Sequence, residues 1–231
     1  TVLAQNDAGI GVKNAIDTLG FKNAIGAFAP PWAVIDDLDF LKTLADDDWR
    51  GGIAEAVKVA AIKDAKFLKW IAAHAEELKN RDATAMEELV RETARLHVEH
   101  IVKNGDPFER GTARPLDFGH WAAHRLETMS GYRLSHGYAV AIGVCIDCAY
   151  AVTKKWLDEE DGDLVGDALA KSGALGGLDR FSDLLAQPDQ VLRGLDDFRE
   201  HLGGELTVTF PGPLGKKREE HEGDRELMKQ I

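Results

Sequence analysis

Apolar positions divide this chain into a short irregular beginning and a long helical remainder. From Asp46 onward they recur every three or four residues, the spacing of amphipathic helices. Ile53, Val57, Ala60 and Ala61 mark one such face, in a helix predicted from about Trp49 to Asn80 with room for a break; Asp46-Asp47-Asp48 puts negative charge at its N-terminus. Thr84-Ala-Met-Glu87 is a capping-box pattern and opens a helix to about Lys103, with Leu89, Val90, Ala94 and Ile101 inward. Asn104 to Pro115 reads as turn and loop. Pro115 opens the next helix, since proline is tolerated in a first turn, and Gly131 can end it. His136 to Trp156 is apolar nearly all round, the mark of a central buried helix. Leu157 to Gly177 is polar and glycine-rich, with one short helix. Phe181 to Leu202 holds one or two helices parted at Pro188, Glu205 to Phe210 alternates like a strand, and the acidic tail ends in a short helix. Ahead of Asp46, Thr1 to Gln5 has the look of a strand. Asn6 to Asn14 is a glycine-bearing loop ending in a cation, and Ala33-Val-Ile35 reads as a short buried strand stopped by Asp36-Asp37.

Composition narrows the function classes. At 231 residues the chain is one large domain or two small ones, and 44% hydrophobic residues suffice for a core. A net charge of −12 with no basic patch argues against a nucleic-acid surface. No apolar run reaches membrane-spanning length, and no signal peptide opens the chain. Cys145 and Cys148 form C-x-x-C within the apolar helix, three apart on one face. Without a second pair they read as small core residues in a reducing compartment rather than a zinc knuckle or redox pair.

The histidines carry the candidate chemistry. His120, His124 and His136 fall within 17 residues, of eight histidines in the chain. His120 and His124 share a helix face one turn apart, and imidazole is the commonest metal-binding side chain. A catalytic zinc site often takes two histidines and a carboxylate. Glu55 is the candidate carboxylate: Glu55 and Lys58 are the charged residues of an otherwise apolar run from Gly51 to Ile62. His97 and His100 read as structural. The loop up to Lys13, with bare glycine amides and a cation, suits an anionic group.

These residues together resemble a known family. Gln5 to Lys13, Lys22-Asn23, Ile53-Ala-Glu55-Ala-Val-Lys58, Gly119-His120, His124 and His136-Gly-Tyr-Ala-Val-Ala-Ile-Gly resemble 3-dehydroquinate synthase and its sugar-phosphate cyclase relatives, from Thr1 to about Phe210. The resemblance implies a mainly α fold: residues 46–231 as the multi-helical metal- and substrate-binding domain, and residues 1–45 as a small α/β remnant of the NAD-binding domain. That domain's phosphate-binding glycine loops would lie upstream of Thr1, so the first residues would be poorly ordered, or covered by another chain such as a separate N-terminal half. It implies NAD and Zn2+ (or Co2+) as cofactors, a sugar phosphate as substrate, a homodimer, and a cytoplasmic location. It assigns Glu55, His120 and His136 to the metal. Asp7, Lys13, Lys22, Asn23, Lys58 and His124 correspond to substrate or cofactor positions, with Lys13, Asn23 and His124 on the phosphate and Thr43-Leu44 at a nucleotide edge. The chain departs from the dehydroquinate enzymes at Asp117, where they have Asn, and at Ala113, where they have Arg, with Arg114 adjacent. No lysine is found at the expected place in the helix near Glu99, and Tyr138 replaces an acidic residue after His136-Gly137. Phe198-Arg-Glu-His201-Leu-Gly-Gly looks like the valiolone-type cyclases. The expected activity is a phosphate-eliminating cyclase on a sugar phosphate outside the shikimate route. An authentic 3-dehydroquinate synthase is the first alternative, and a non-catalytic, metal-stabilised binding or dimerisation module the second.

Overall fold

The computed structural model describes residues 1–18, 21–103, 115–201 and 206–231. The first residues are helical rather than extended. The Thr1 hydroxyl accepts from the Ala4 N–H at 3.1 Å, as a helix cap does, and the chain widens into a π-helical turn, Ala4–Ala8. The Asn6 amide donates to Gly52 O at 2.9 Å, and the Gln5 amide donates to Asp37 O at 2.8 Å. Between these anchors runs an antiparallel hairpin of β1 (Lys13–Thr18) and β2 (Phe21–Phe28). The strand expected at Ala33–Ile35 is absent. Residues 29–37 form neither helix nor strand, and Ile35 is exposed, because the described chain offers this run no neighbour to pair with. Ile16, Ile25, Phe28, Trp32 and Phe40 are exposed as well.

The predicted long helix is three. α1 (Asp46–Lys63) stops at Asp64, which turns extended and caps α2 (Ala65–Ala73) by accepting from Lys66 N and Phe67 N. α3 (Ala75–Lys79) follows His74. α4 (Ala83–Lys103) starts ahead of the expected capping box, because Asp82 accepts from Ala85 N at 2.8 Å. Pro115 opens a three-residue 3-10 turn, Pro115–Asp117, and not the histidine helix. The chain then reverses at Gly119, whose φ of +79° suits glycine, and α5 runs His120–Met129. Gly131, also at positive φ, lies just beyond it as expected. α6 (His136–Thr153) is long and apolar enough to cross a membrane, which the sequence reading did not allow for. Here it is the buried centre of the fold, against α1, α5 and α7 (Glu159–Lys171). α8 (Leu178–Leu185) and α9 (Pro188–His201) part at Pro188 as predicted. β3 (Val208–Pro211) is buried, with Phe210 against Tyr150 and Trp156, and pairs with β4 (Lys217–Glu220); α10 (Arg225–Met228) closes the chain.

Missing side chains set how closely the helices meet. A Cβ on Gly137 would stand 2.2 Å from Gly51 O, so α1 and α6 touch backbone to backbone there. A Cβ on Gly143 would stand 2.0 Å from Gly119 O, which seats the start of α5 on α6. Asp147 supports the second contact from below. It is fully buried on α6 and accepts from Gly119 N at 2.9 Å and from the Trp121 indole at 2.8 Å. Both cysteines are free and within or beside the core. Burial pushes the Cys145 thiol up to about 11 and Cys148 well above its ordinary value, in keeping with a packing role.

Candidate metal centre

The two glycine contacts bring together three helices that each carry one candidate ligand. Glu55 lies one turn beyond Gly51 on α1, His136 immediately precedes Gly137 on α6, and His120 follows Gly119 on α5. Glu55 Oε1 stands 3.7 Å from His120 Nε2 and 3.5 Å from His136 Nε2. Both separations are long for a hydrogen bond. A tetrahedral ion with ligand bonds near 2.0–2.2 Å has ligand–ligand edges of about 3.3–3.6 Å, close to these values. Glu55 Oε1 is fully buried without a hydrogen-bond partner among the described residues, and an unsatisfied buried carboxylate oxygen is costly. The donor set therefore fits a divalent cation.

Neighbouring groups fix the imidazole tautomers. His120 Nδ1 faces Phe118 O at 3.1 Å, and a carbonyl can only accept, so Nε2 presents its lone pair to Glu55. His136 Nδ1 lies 3.2 Å from Glu127 Oε2, which leaves Nε2 for the same centre. A carboxylate behind a ligating histidine is the usual outer support of a metal site. Burial, with Lys58 and the other two histidines, pushes the His120 pKa well below its ordinary value, keeping it neutral. Burial would lower His136 too, but Glu127 and Glu55 lift it to about 9. Burial would raise Glu55, yet Lys58 and His136 bring it down to about 2. Lys58 forms a buried ion pair with Glu55; burial would lower its pKa, and Glu55 with Asp7 holds it above the ordinary range.

His124 completes a triangle of rings, with centroids 5.4 Å from His120 and 5.9 Å from His136. With Glu127 and His136 it forms a second group whose ligand atoms all lie within 4.8 Å of one another. Beside the centre opens a cavity of ≈ 200 Å³, lined by Asp7, Lys58, His97, Asp117 and His120 among others. Asp7 reaches it from the π-helical turn.

The structure places the remaining predicted residues unevenly. Lys13, Lys22 and Asn23 lie on the hairpin, but their side chains are outside the described residues, as are Arg114 and the His201 side chain. Thr43 ends a 3-10 turn, Leu38–Thr43, and Leu44 caps it; neither lines the cavity, and Leu44 O is taken by Arg81 at 2.8 Å. Sequence reasoning did not single out Glu127, and the structure puts His97, read as structural, at the cavity wall beside Asp7. Glu127 lies three residues after His124 and so on the same face, a spacing that could have singled it out. His97 carried no such signal.

Comparison with known proteins identifies the family. The family described as 3-dehydroquinate synthase C-terminal matches residues 52–180, and 3-dehydroquinate synthase N-terminal matches residues 1–51. A 3-dehydroquinate synthase from Pelotomaculum thermopropionicum is 32% identical over 94% of this chain and 57% of its own length. A 2-epi-valiolone synthase from Actinosynnema mirum is 34% identical over 93% of this chain and 56% of its own. The chain thus spans a little over half the length of these relatives. The solved 2-epi-5-epi-valiolone synthase from Streptomyces hygroscopicus subsp. jinggangensis, with NAD+ and Zn2+ bound, superposes with a TM-score of 0.89 at 25% identity, covering 100% of this chain and 62% of that one. A 2-deoxy-scyllo-inosose synthase complexed with carbaglucose-6-phosphate, NAD+ and Co2+ shares the fold at a TM-score of 0.80 and 20% identity, over 99% of this chain and 63% of that one. With a family model matching more than half of the chain, and a relative 32% identical over 94% of it, this protein belongs to the 3-dehydroquinate synthase family of sugar-phosphate cyclases.

Proposed function

We propose that this chain supplies the metal- and substrate-binding half of a phosphate-eliminating sugar-phosphate cyclase that uses NAD and a divalent ion, zinc or cobalt. The observation that carries the reading is the trio Glu55, His120 and His136, spaced for one ion, at the edge of a polar cavity. A divalent ion there supplies Lewis acidity to a bound hydroxyl, and NAD takes and returns a hydride. The chain's own groups orient the sugar. Lys58, its charge matched by Glu55, donates to hydroxyls on the cavity floor. Asp7 and Asp117 accept from hydroxyls. His124, beside the trio, takes the phosphate together with Lys13 and Asn23. The remaining cyclase steps, loss of phosphate and aldol closure, need the sugar held in one pose, and the rigid helix contacts serve that.

The substrate we favour has no carboxylate. Among the described residues lining the cavity, Lys58 is the one Lys or Arg, and it is already paired, while two carboxylates face the space. A carboxylate substrate would meet like charge at Asp117. The names of the curated relatives favour the other reading, an authentic 3-dehydroquinate synthase. We further assign a cytoplasmic homodimer, with the rest of the NAD-binding domain supplied by sequence beyond this chain. Product analysis of the full-length protein decides between substrates. It is offered a seven-carbon sugar phosphate with a carboxylate and one without, and phosphate release and cyclised product are followed. Turnover of the carboxylate-bearing sugar alone would overturn the substrate assignment, and turnover of neither would favour a non-catalytic module.

A further inference from the structure

Three successive residues of α6 meet three successive turns of α1. Asp47, Gly51 and Glu55 stand four apart on one face of α1, spread over about 12 Å. Tyr138 reaches Asp47, Gly137 lies on Gly51, and His136 faces Glu55. The middle contact is bare backbone. It fixes how far apart the helices lie, but no side chain interlocks there, so the helices could still turn about the point of contact. What stands on either side decides that rotation. On one side is the metal pair, His136 and Glu55. On the other is Tyr138, whose hydroxyl donates to Asp47 Oδ1 at 2.9 Å.

Tyr138 is packed so that it can hold that end. Its side chain is buried, and the chain between α7 and α8 lies against it at two glycines. A Cβ on Gly177 would stand 2.9 Å from Tyr138 Cβ, and one on Gly176 would stand 3.2 Å from the hydroxyl, so the ring has little room to swing. Asp47 receives Arg180 on its other oxygen at 2.9 Å, and the Arg180 guanidinium lies 5.5 Å from the centre of the Tyr138 ring. Asp47 and Arg180 are both half-exposed, so their ion pair adds little by itself; it keeps the carboxylate turned toward α6. A carboxylate in the first turn of α1 needs no partner to suit the helix dipole. Asp47 is tied to two other helices all the same. We propose that Tyr138 is a positioning residue: its bond to Asp47 stops α6 from pivoting at Gly137 and so presets His136 against Glu55 for the divalent ion. The inference rests on the metal-site reading above.

The test is chelator competition for zinc on the full-length protein, at a temperature well below the unfolding transition of every variant, with thermal unfolding recorded alongside. Wild type, Tyr138→Phe, Asp47→Ala, Asp47→Asn and the double variant Tyr138→Phe with Asp47→Ala are compared. Phe keeps the ring and loses the donor, and Ala loses the acceptor, so each should weaken zinc by about three- to tenfold. Asn keeps an acceptor oxygen and should stay within about twofold of wild type. The double variant should be no weaker than the weaker single one, because both changes remove the same bond. A merely structural role would lower the unfolding temperature and leave zinc affinity alone. Wild-type affinity in Tyr138→Phe and Asp47→Ala would therefore overturn the proposal and leave the metal site standing. Losses that multiply in the double variant, or an Asn variant as weak as Ala, would overturn it as well. If Asp47→Ala does not fold, Tyr138→Phe decides alone. If wild type binds no zinc, the metal-site reading fails and this inference with it.

Discussion

Adding one methyl group at Gly137 should remove the metal. The Cβ of Gly137→Ala would lie 2.2 Å from Gly51 O and 2.4 Å from Gly51 C, where ordinary contact begins near 3.4 Å. Both partners are helix backbone, so no side chain can swing aside, and α1 and α6 must part by about 1.2 Å. Overpacking of this kind costs about 1–3 kcal/mol, which in a chain of this size lowers the melting temperature by roughly 2–12 °C. The parting acts directly on the ligands, because Glu55 rides on α1 and His136 on α6. Their 3.5 Å separation would grow to about 4.7 Å. An ion with bonds near 2.1 Å spans at most about 4.2 Å even between opposite ligands, so it cannot hold both. The assay is elemental analysis after dialysis, with thermal unfolding alongside. Gly166→Ala on α7, whose added Cβ would meet nothing within 4 Å, is the control and should be neutral or slightly stabilising. A Gly137→Ala protein that retains one ion with wild-type affinity would refute the argument that this backbone contact sets the ligand spacing.

Other outcomes follow from the same geometry. Glu55→Gln, His120→Ala and His136→Ala should each lose metal on dialysis, while His124→Ala should keep it and lose phosphate affinity; loss of metal from His124→Ala with retention in Glu55→Gln would point to the second histidine group instead. Glu127→Gln should weaken the metal by about 10–100-fold without abolishing binding, read by competition with a chelator, and unchanged affinity would mean that Glu127 does not orient His136. Burial raises Asp147 to about 7, so between about pH 4 and 7 the folded protein holds a proton that the unfolded chain has released. That contribution to stability is therefore present at low pH, falls as pH rises through the window and is flat above it. Asp147→Asn should flatten this part of the stability profile, and an unaltered profile would show that Asp147 is already ionised in the fold. Asp117→Asn should shift competition between the two sugars toward the carboxylate-bearing one, by a like-charge contact on the order of a few kcal/mol; an unchanged ratio removes Asp117 from specificity.

The metal trio was legible because its chemistry conflicts with its surroundings. Histidines one turn apart are weak evidence by themselves, but a Glu–Lys pair inside an otherwise apolar helix points at something, and the two signals together suggested a shared site. Helix order was legible from periodicity for the same kind of reason: long segments repeat the signal many times. His97 was not legible, since it occupies an ordinary inward slot of an amphipathic helix, and only the tertiary fold brings Asp7 to it. The apparent strands at Thr1–Gln5 and Ala33–Ile35 failed for opposite causes. The first is capped into a helical turn by its own threonine, and the second has the right side chains but no partner backbone.

The bond from Gln5 to Asp37 makes residues 13–36 an arm fastened at its root. Gln5 is one residue from Asn6 and two from Asp7, so this bond ties the far end of the arm to the turn that carries Asp7, while Ala29 N donates to Val12 O across its base. Ile16, Ile25 and Phe28 on the hairpin, and Trp32 beyond it, are exposed, and a load placed on them is delivered to the turn that carries Asp7. The same turn is moored to α1 through Asn6 and Gly52, three residues before Glu55. The two hydrogen bonds thus connect the exposed arm, through one turn, to the cavity wall and to the helix that carries Glu55.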